Sequence, residues 1–327
     1  MIKLLTGYGG FCMLIEDSVM DAREKIGFRL RSLYSGYGYE RYRMGKFEEY
    51  DLYSRNRSFL FSESVITFTD TNGRLMALKP DVTLSIVKNI RDNPGTLRKL
   101  YYHENVYRVA SSSDGFREQT QVGLECMGDV DTACIGEVLR LAAESMKLCA
   151  KEYVLEVSHL DLLSAFVDAI APDDDTKCRI LECAGEKNLH GIGRICREAG
   201  LSETAAEPLK KLLSLYGTPK TVMPRIRALA EENGCGDYAR QLAQAVALFA
   251  GTDAENRVRI DFSVTGDMKY YNGIAFKGFI NGIPGSVLSG GQYDTLMRRM
   301  GRKDRAIGFA VFLDMMERLN GEELTDA

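Results

Sequence analysis

A chain of 327 residues is longer than one small core needs, so a large domain carrying an insertion, or two domains, is expected. With 45% hydrophobic residues, 27% charged residues and a net charge of -4, it fits a globular protein and lacks the basic excess of one that grips a polyanion unaided. Eight cysteines form no CxxC pair and only three histidines are present, so zinc spacing is absent and free thiols in a reducing cytoplasm are expected.

Residues 1–14 meet glycine too early to form the apolar run of a signal peptide or a membrane span. Residues 18–36 place Met20, Ile26, Phe28, Leu30 and Leu33 at helical spacing, and Gly36 and Gly38 end that helix. Residues 64–79 predict a hairpin turning at Asn72-Gly73. A helix opens at Pro80-Asp81 and runs to Asn89; strands follow at 100–109 and 118–128, then an amphipathic helix over 132–151. In 153–159, Tyr153, Leu155 and Val157 alternate with Val154, Glu156 and Ser158, as in a strand. Residues 161–252 read as an inserted helical block, with a capping box at 204–207 and Asp237 as a later cap. Cys134, Cys149, Cys178 and Cys183 fall in helical patterns and read as buried thiols. Strands return at 258–264, 274–280 and 287–289, and 306–320 passes into a helix. Consecutive strands with helices in blocks predict an α+β fold on an antiparallel sheet.

The segment 117–128, REQTQVGLECMG, concentrates polar groups on one strand face. Gln119, Gln121, Gly123 and Glu125 share that face; Val122, Leu124 and Cys126 share the other. Such a face suits either a solvent-exposed sheet or a small polar ligand lying over the glycine. Asp81 and Thr83 either line the same site or cap the following helix. Arg108 precedes a Ser/Gly loop and reads equally as a surface residue. Tyr270 and Tyr271 would point to opposite faces if they lie in a strand, leaving one for a pocket.

Five segments in this order resemble histidyl-tRNA synthetase: LKPDVT at 78–83, Tyr107-Arg108 with TQVGLECMG at 120–128, VTGDMKYY at 264–271, GGQYD at 290–294 and GFAVFLDM at 308–315. The resemblance runs from Gly9 to about Leu319 and implies a class II aminoacyl-tRNA synthetase-like antiparallel sheet flanked by helices. Residues 1–160 and 253–327 would be the core and 161–252 the helical insertion, with no anticodon-binding domain. It also implies a histidine-like pocket. Asp81, Thr83 and Gln121 match positions facing the ammonium, Glu125 and Tyr271 those facing the imidazole, and Arg108 the arginine reaching the carboxylate; Tyr270 accompanies Tyr271.

The departures bear on catalysis. The family's arginine in the fourth-quarter motif falls on Thr265 or Gly266, with Lys269 nearby, and the final-motif arginine falls on Met315. Val109-Ala110 replaces a His-Glu pair, and RMGK at 43–46 lacks the motif 1 proline. One lost electrostatic donor of this kind costs about 10²–10³ in rate, so two should leave little adenylate formation. A synthetase-like core without that chemistry is similar to the regulatory subunits of ATP phosphoribosyltransferase. That resemblance implies no catalytic residues, no cofactor, and L-histidine as effector. It implies a short-form ATP phosphoribosyltransferase catalytic subunit as partner in a hetero-octamer, self-dimerisation through the class II interface, and neither nucleic acid nor membrane as partner. A truncated synthetase relying on Lys269, or a stand-alone histidine sensor, remains the alternative.

Overall fold

The computed structural model describes residues 19–318 except 58–59, 61–64, 93–94, 110–114, 203 and 266–269. Helix α1 (Ala22–Gly36) starts later than its periodicity suggests because Asp21 and Glu24 form a reciprocal capping box. The Glu24 N–H donates to Asp21 Oδ1 at 2.8 Å and the Asp21 N–H to Glu24 Oε2 at 2.9 Å. It ends at the expected glycines, Gly38 adopting φ +82°.

Strands β1 (Glu40–Arg41) and β2 (Phe47–Glu49), helix α2 (Tyr50–Arg55), strands β3 (Thr67–Thr69) and β4 (Leu75–Leu78), and helix α3 (Thr83–Asn89) follow. β3 and β4 form the predicted hairpin, its turn fixed by Asp70 Oδ1 accepting from the Asn72 and Arg74 N–H groups. With β2 they make a small sheet in the order β2-β4-β3; three-residue strands such as β2 are too short to leave a periodic signal.

Strands β5 (Leu97–Val109) and β6 (Phe116–Gly128), helix α4 (Thr132–Cys149) and strand β7 (Tyr153–His159) match the expected run. Six helices lie between β7 and the next strand: α5 (Leu160–Asp168), α6 (Asp174–Gly185), α7 (Leu189–Glu198), α8 (Glu207–Leu213), α9 (Pro219–Glu232) and α10 (Gly236–Val246). Two predicted caps are absent. α8 starts only at Glu207, with Pro208 in its first turn, and Thr204 Oγ1 meets Ser202 Oγ at 2.9 Å. Asp237 lies inside the first turn of α10, whose N-cap is Cys235. The chain closes with β8 (Val258–Ile260), β9 (Asn272–Ile280), β10 (Leu288–Gln292), α11 (Asp294–Arg299), β11 (Arg305–Phe312) and a 3₁₀ segment, Leu313–Arg318. β8 is shorter than predicted because Asp261 turns the chain, its Oδ1 accepting from the Ser263 N–H at 2.8 Å.

The main sheet has the order β1-β5-β6-β11-β10-β9-β7-β8. Its six central strands pair antiparallel, as expected, but β1 pairs parallel with β5 and β8 parallel with β7. The sheet is therefore mixed. Both parallel pairs follow long crossovers, the one into β8 through the helical block, and a parallel neighbour requires such a connection. On one side of the sheet, Val122, Leu124 and Cys126 of β6 join α1 and α4 in the larger apolar cluster. On the other, Tyr102, Tyr270, Tyr271, Tyr293 and α3 form the smaller one. Cys149 is buried as expected, but Cys178 is exposed: α6 buries Thr176, Ile180 and Ala184 along one stripe, and residue 178 lies off it.

Candidate functional site

The polar face of β6 lies under a cleft, not on open solvent. All seven candidate residues line it: Asp81, Thr83, Arg108, Gln121, Glu125, Tyr270 and Tyr271. Asp81 and Thr83 come from the start of α3, Arg108 from β5, Gln121 and Glu125 from β6. Both readings of Asp81 hold together, since its Oδ1 accepts from the Leu84 N–H at 2.8 Å, as a cap does, while it faces the cleft. Tyr270 and Tyr271 both face inward, against the expectation of one. They precede β9 in a turn, where strand alternation does not apply, and their rings meet edge to face at 4.7 Å.

The floor is built from glycines, each covered by a larger neighbour. A Cβ on Gly308 would lie 1.8 Å from Glu125 Oε2, one on Gly123 2.4 Å from the Tyr102 hydroxyl, and one on Gly291 2.9 Å from the Tyr271 ring. The space over Gly123, read in sequence as room for ligand, is thus filled by Tyr102, its direct cross-strand partner in β5. The cleft and its solvent-open mouth together enclose about 400 Å³.

Glu125 is the most constrained group. Thr83 Oγ1 donates to its Oε1 at 2.7 Å and the Tyr293 hydroxyl to its Oε2 at 2.7 Å. Burial pushes its carboxyl from 4.5 up to about 8 against those two bonds. Burial also raises Asp81, opposed by the Leu84 N–H and by the Arg108 guanidinium, whose Nε donates to the Pro80 carbonyl at 3.3 Å. Both carboxyls line the cleft with Arg108, and a ligand bringing positive charge and N–H donors would offset the burial that raises them. Among the described residues no group of three or more His, Cys, Asp or Glu could hold a metal ion.

Three polar residues line the cleft beyond those expected from the sequence. Tyr293 belongs to the GGQYD segment, which carried the family resemblance without a site role for its tyrosine. Tyr102 could have been found from Gly123, since a glycine inside a strand signals close approach by a neighbour. Ser289 lies two residues before Gly291 on the same face of β10.

Neither described position that replaces a family arginine reaches the cleft. Thr265 is buried with its Oγ1 against Gly185 of α6, where an added Cβ would come within 2.3 Å. Met315 packs on the large apolar cluster, in a segment held when the Thr120 N–H donates to Asp314 Oδ2 at 2.8 Å. Gly266, Lys269 and Ala110 lie outside the described residues.

Residues 15–316 match the family model described as histidyl-tRNA synthetase. A relative from Alkaliphilus metalliredigens, an ATP phosphoribosyltransferase regulatory subunit, is 27% identical over 301 residues, covering 90% of this chain and 76% of its own. A Bacillus halodurans structure described as an ATP phosphoribosyltransferase regulatory subunit/histidyl-tRNA synthetase superposes with TM-score 0.81 at 24% identity, covering 96% of this chain and 85% of that one. A chain of the ATP phosphoribosyl transferase complex from Thermotoga maritima superposes with TM-score 0.67 at 18% identity, covering 88% and 96%. The α+β sheet is therefore the class II synthetase-like one, and the chain belongs to the histidyl-tRNA synthetase family.

Proposed function

We propose that this chain is a non-catalytic regulatory subunit of ATP phosphoribosyltransferase, acting in the first step of histidine biosynthesis and binding L-histidine as feedback effector. One contrast carries the reading. The cleft keeps the carboxyl groups of Asp81 and Glu125, suited to an ammonium and an imidazole, while the family's arginines fall on Thr265 or Gly266 and on Met315, and neither Thr265 nor Met315 lines the cleft. Recognition of the amino acid is retained without the charge stabilisation that adenylate formation needs. The names of the relatives support the same assignment.

In this reading Asp81, Thr83 and Gln121 receive the ammonium, Glu125 and Tyr271 the imidazole, and Arg108 the carboxylate. The partner is a short-form catalytic chain carrying the transferase site, assembled with a dimer of this chain into a hetero-octamer. As an effector, histidine binds two arrangements of the assembly with unequal affinity.

Mixing the chain with a short-form ATP phosphoribosyltransferase tests the assignment. Transferase activity should rise on mixing and fall when L-histidine is added. The chain alone should give no histidine-dependent ATP–pyrophosphate exchange. Robust exchange, or no activation on mixing, would sink the proposal.

A further inference from the structure

Ser289 is the polar residue of the cleft whose hydrogen bonding is unspent. It is 7% exposed, and its Oγ is buried with no hydrogen-bond partner among the described residues. A buried hydroxyl left unpaired is costly, and such a group calls for an explanation. Its direction is fixed by strand alternation. Gly290 faces the apolar core, where an added Cβ would meet Phe309 Cβ at 2.4 Å, so Ser289 and Gly291 face the cleft.

Register locates it on the floor. Ser289 pairs with Ala310 of β11, which pairs with Gly123 of β6. The neighbouring row on the same face is Gly291, Gly308 and Glu125. Tyr102, Tyr271 and Glu125 cover the three glycines, so the uncovered floor is the methyl of Ala310 with the hydroxyl of Ser289 at its edge. The Glu125 carboxylate lies over Gly308, one strand and two residues from Ser289. Strand spacing and rise put these two groups ~8 Å apart. A small heterocycle with a polar contact at each end spans that gap.

We propose that Ser289 is a specificity-determining residue of this cleft, its Oγ hydrogen-bonding the polar edge of a ligand ring that rests on Ala310. The proposal rests on the histidine reading above and adds a contact to it. It also accounts for the orphan hydroxyl: the bond it lacks is made to the ligand.

Isothermal titration of the full chain, alone and assembled with its catalytic partner, tests this with L-histidine and with β-(2-thienyl)-L-alanine, which has a similar ring and no ring N–H. Ser289→Ala should weaken L-histidine about 5- to 10-fold, the worth of one hydrogen bond. It should leave the thienyl analogue unchanged or tighter, and the ligand-free melting temperature unchanged or higher. Equal affinity of wild type and Ser289→Ala for L-histidine overturns the proposal and leaves the histidine reading standing. Equal weakening of both ligands, or a lower ligand-free melting temperature, makes Ser289 a packing residue and also overturns it. If the wild-type chain binds neither ligand in either form, the histidine reading fails, and this proposal fails with it.

Discussion

Replacing Glu125 by glutamine changes one property of the cleft, its buried titratable carboxyl. Glutamine has the same shape. Its carbonyl can accept from one hydroxyl and its amide can donate to the other, so the contacts to Thr83 and Tyr293 persist. The folded-state carboxyl titrates at about 8, raised from 4.5 by burial. Between those values the folded chain holds a proton that the unfolded chain has released. Stability of the wild type therefore falls as pH rises through this window, approaching 1.4 kcal/mol per pH unit and at most about 5 kcal/mol in all. Asp81, also raised by burial, adds a loss of the same sign to both proteins. The difference between the proteins isolates Glu125. From pH 5.5 to 7.5, Glu125→Gln should gain roughly 2–3 kcal/mol relative to wild type. Urea titrations at several pH values measure it. A stability difference that stays flat across this range, or that favours wild type as pH rises, would refute the burial argument.

Other perturbations test the surrounding geometry. Gly308→Ala should cost more than about 3 kcal/mol, read as lost melting temperature or solubility, because the new methyl strikes both Glu125 and the Leu124 carbonyl. Lys79→Met should lose about 3 kcal/mol in urea, since Lys79 is fully buried and its 2.9 Å partner Glu104 would keep a charge without a cation. Lys187→Met should lose only about 1–2 kcal/mol, because its 2.5 Å pair to buried Asp261 is made by a half-exposed ammonium. Met315→Arg should not restore ATP–pyrophosphate exchange, because residue 315 packs on the apolar cluster and not on the cleft.

The parts of the fold legible in the sequence were those with a long period. β5, β6, α4 and β7 each repeat their pattern over at least seven residues, and their faces follow from it. Short elements and caps were not legible, because a cap is decided by one side chain's rotamer and not by repetition. Asp21 with Glu24 and Thr204 with Glu207 have the same spacing, yet only the first pair closes into a box. The candidate site was legible through β6 because one alternating strand carried two amides, a carboxylate and a glycine. What covers each glycine was not, since Tyr102 and Tyr271 reach the floor from other elements. Ser289 was hidden for the same reason: its lack of a partner is a fact about its neighbours, and no residue pattern encodes it.

How strong a histidine effector must be follows from what it has to shift: it moves the balance only by its difference in affinity for two arrangements. Moving an assembly from 1:99 to 99:1 requires about 5.5 kcal/mol. A ligand of ~1 mM affinity has about 4.1 kcal/mol in total, even if the disfavoured arrangement binds no better than ~1 M. For a single cleft acting alone that means dissociation at about 0.1 mM or tighter; in the proposed hetero-octamer several copies switch together and their differences add, so each cleft needs less. In the proposed reading the groups available to supply it are Asp81, Glu125, Ser289 and Arg108, all of which line the cleft. Titration of the complex with L-histidine gives the number. Full inhibition that survives Glu125→Gln would move the controlling site from this cleft to the boundary between subunits.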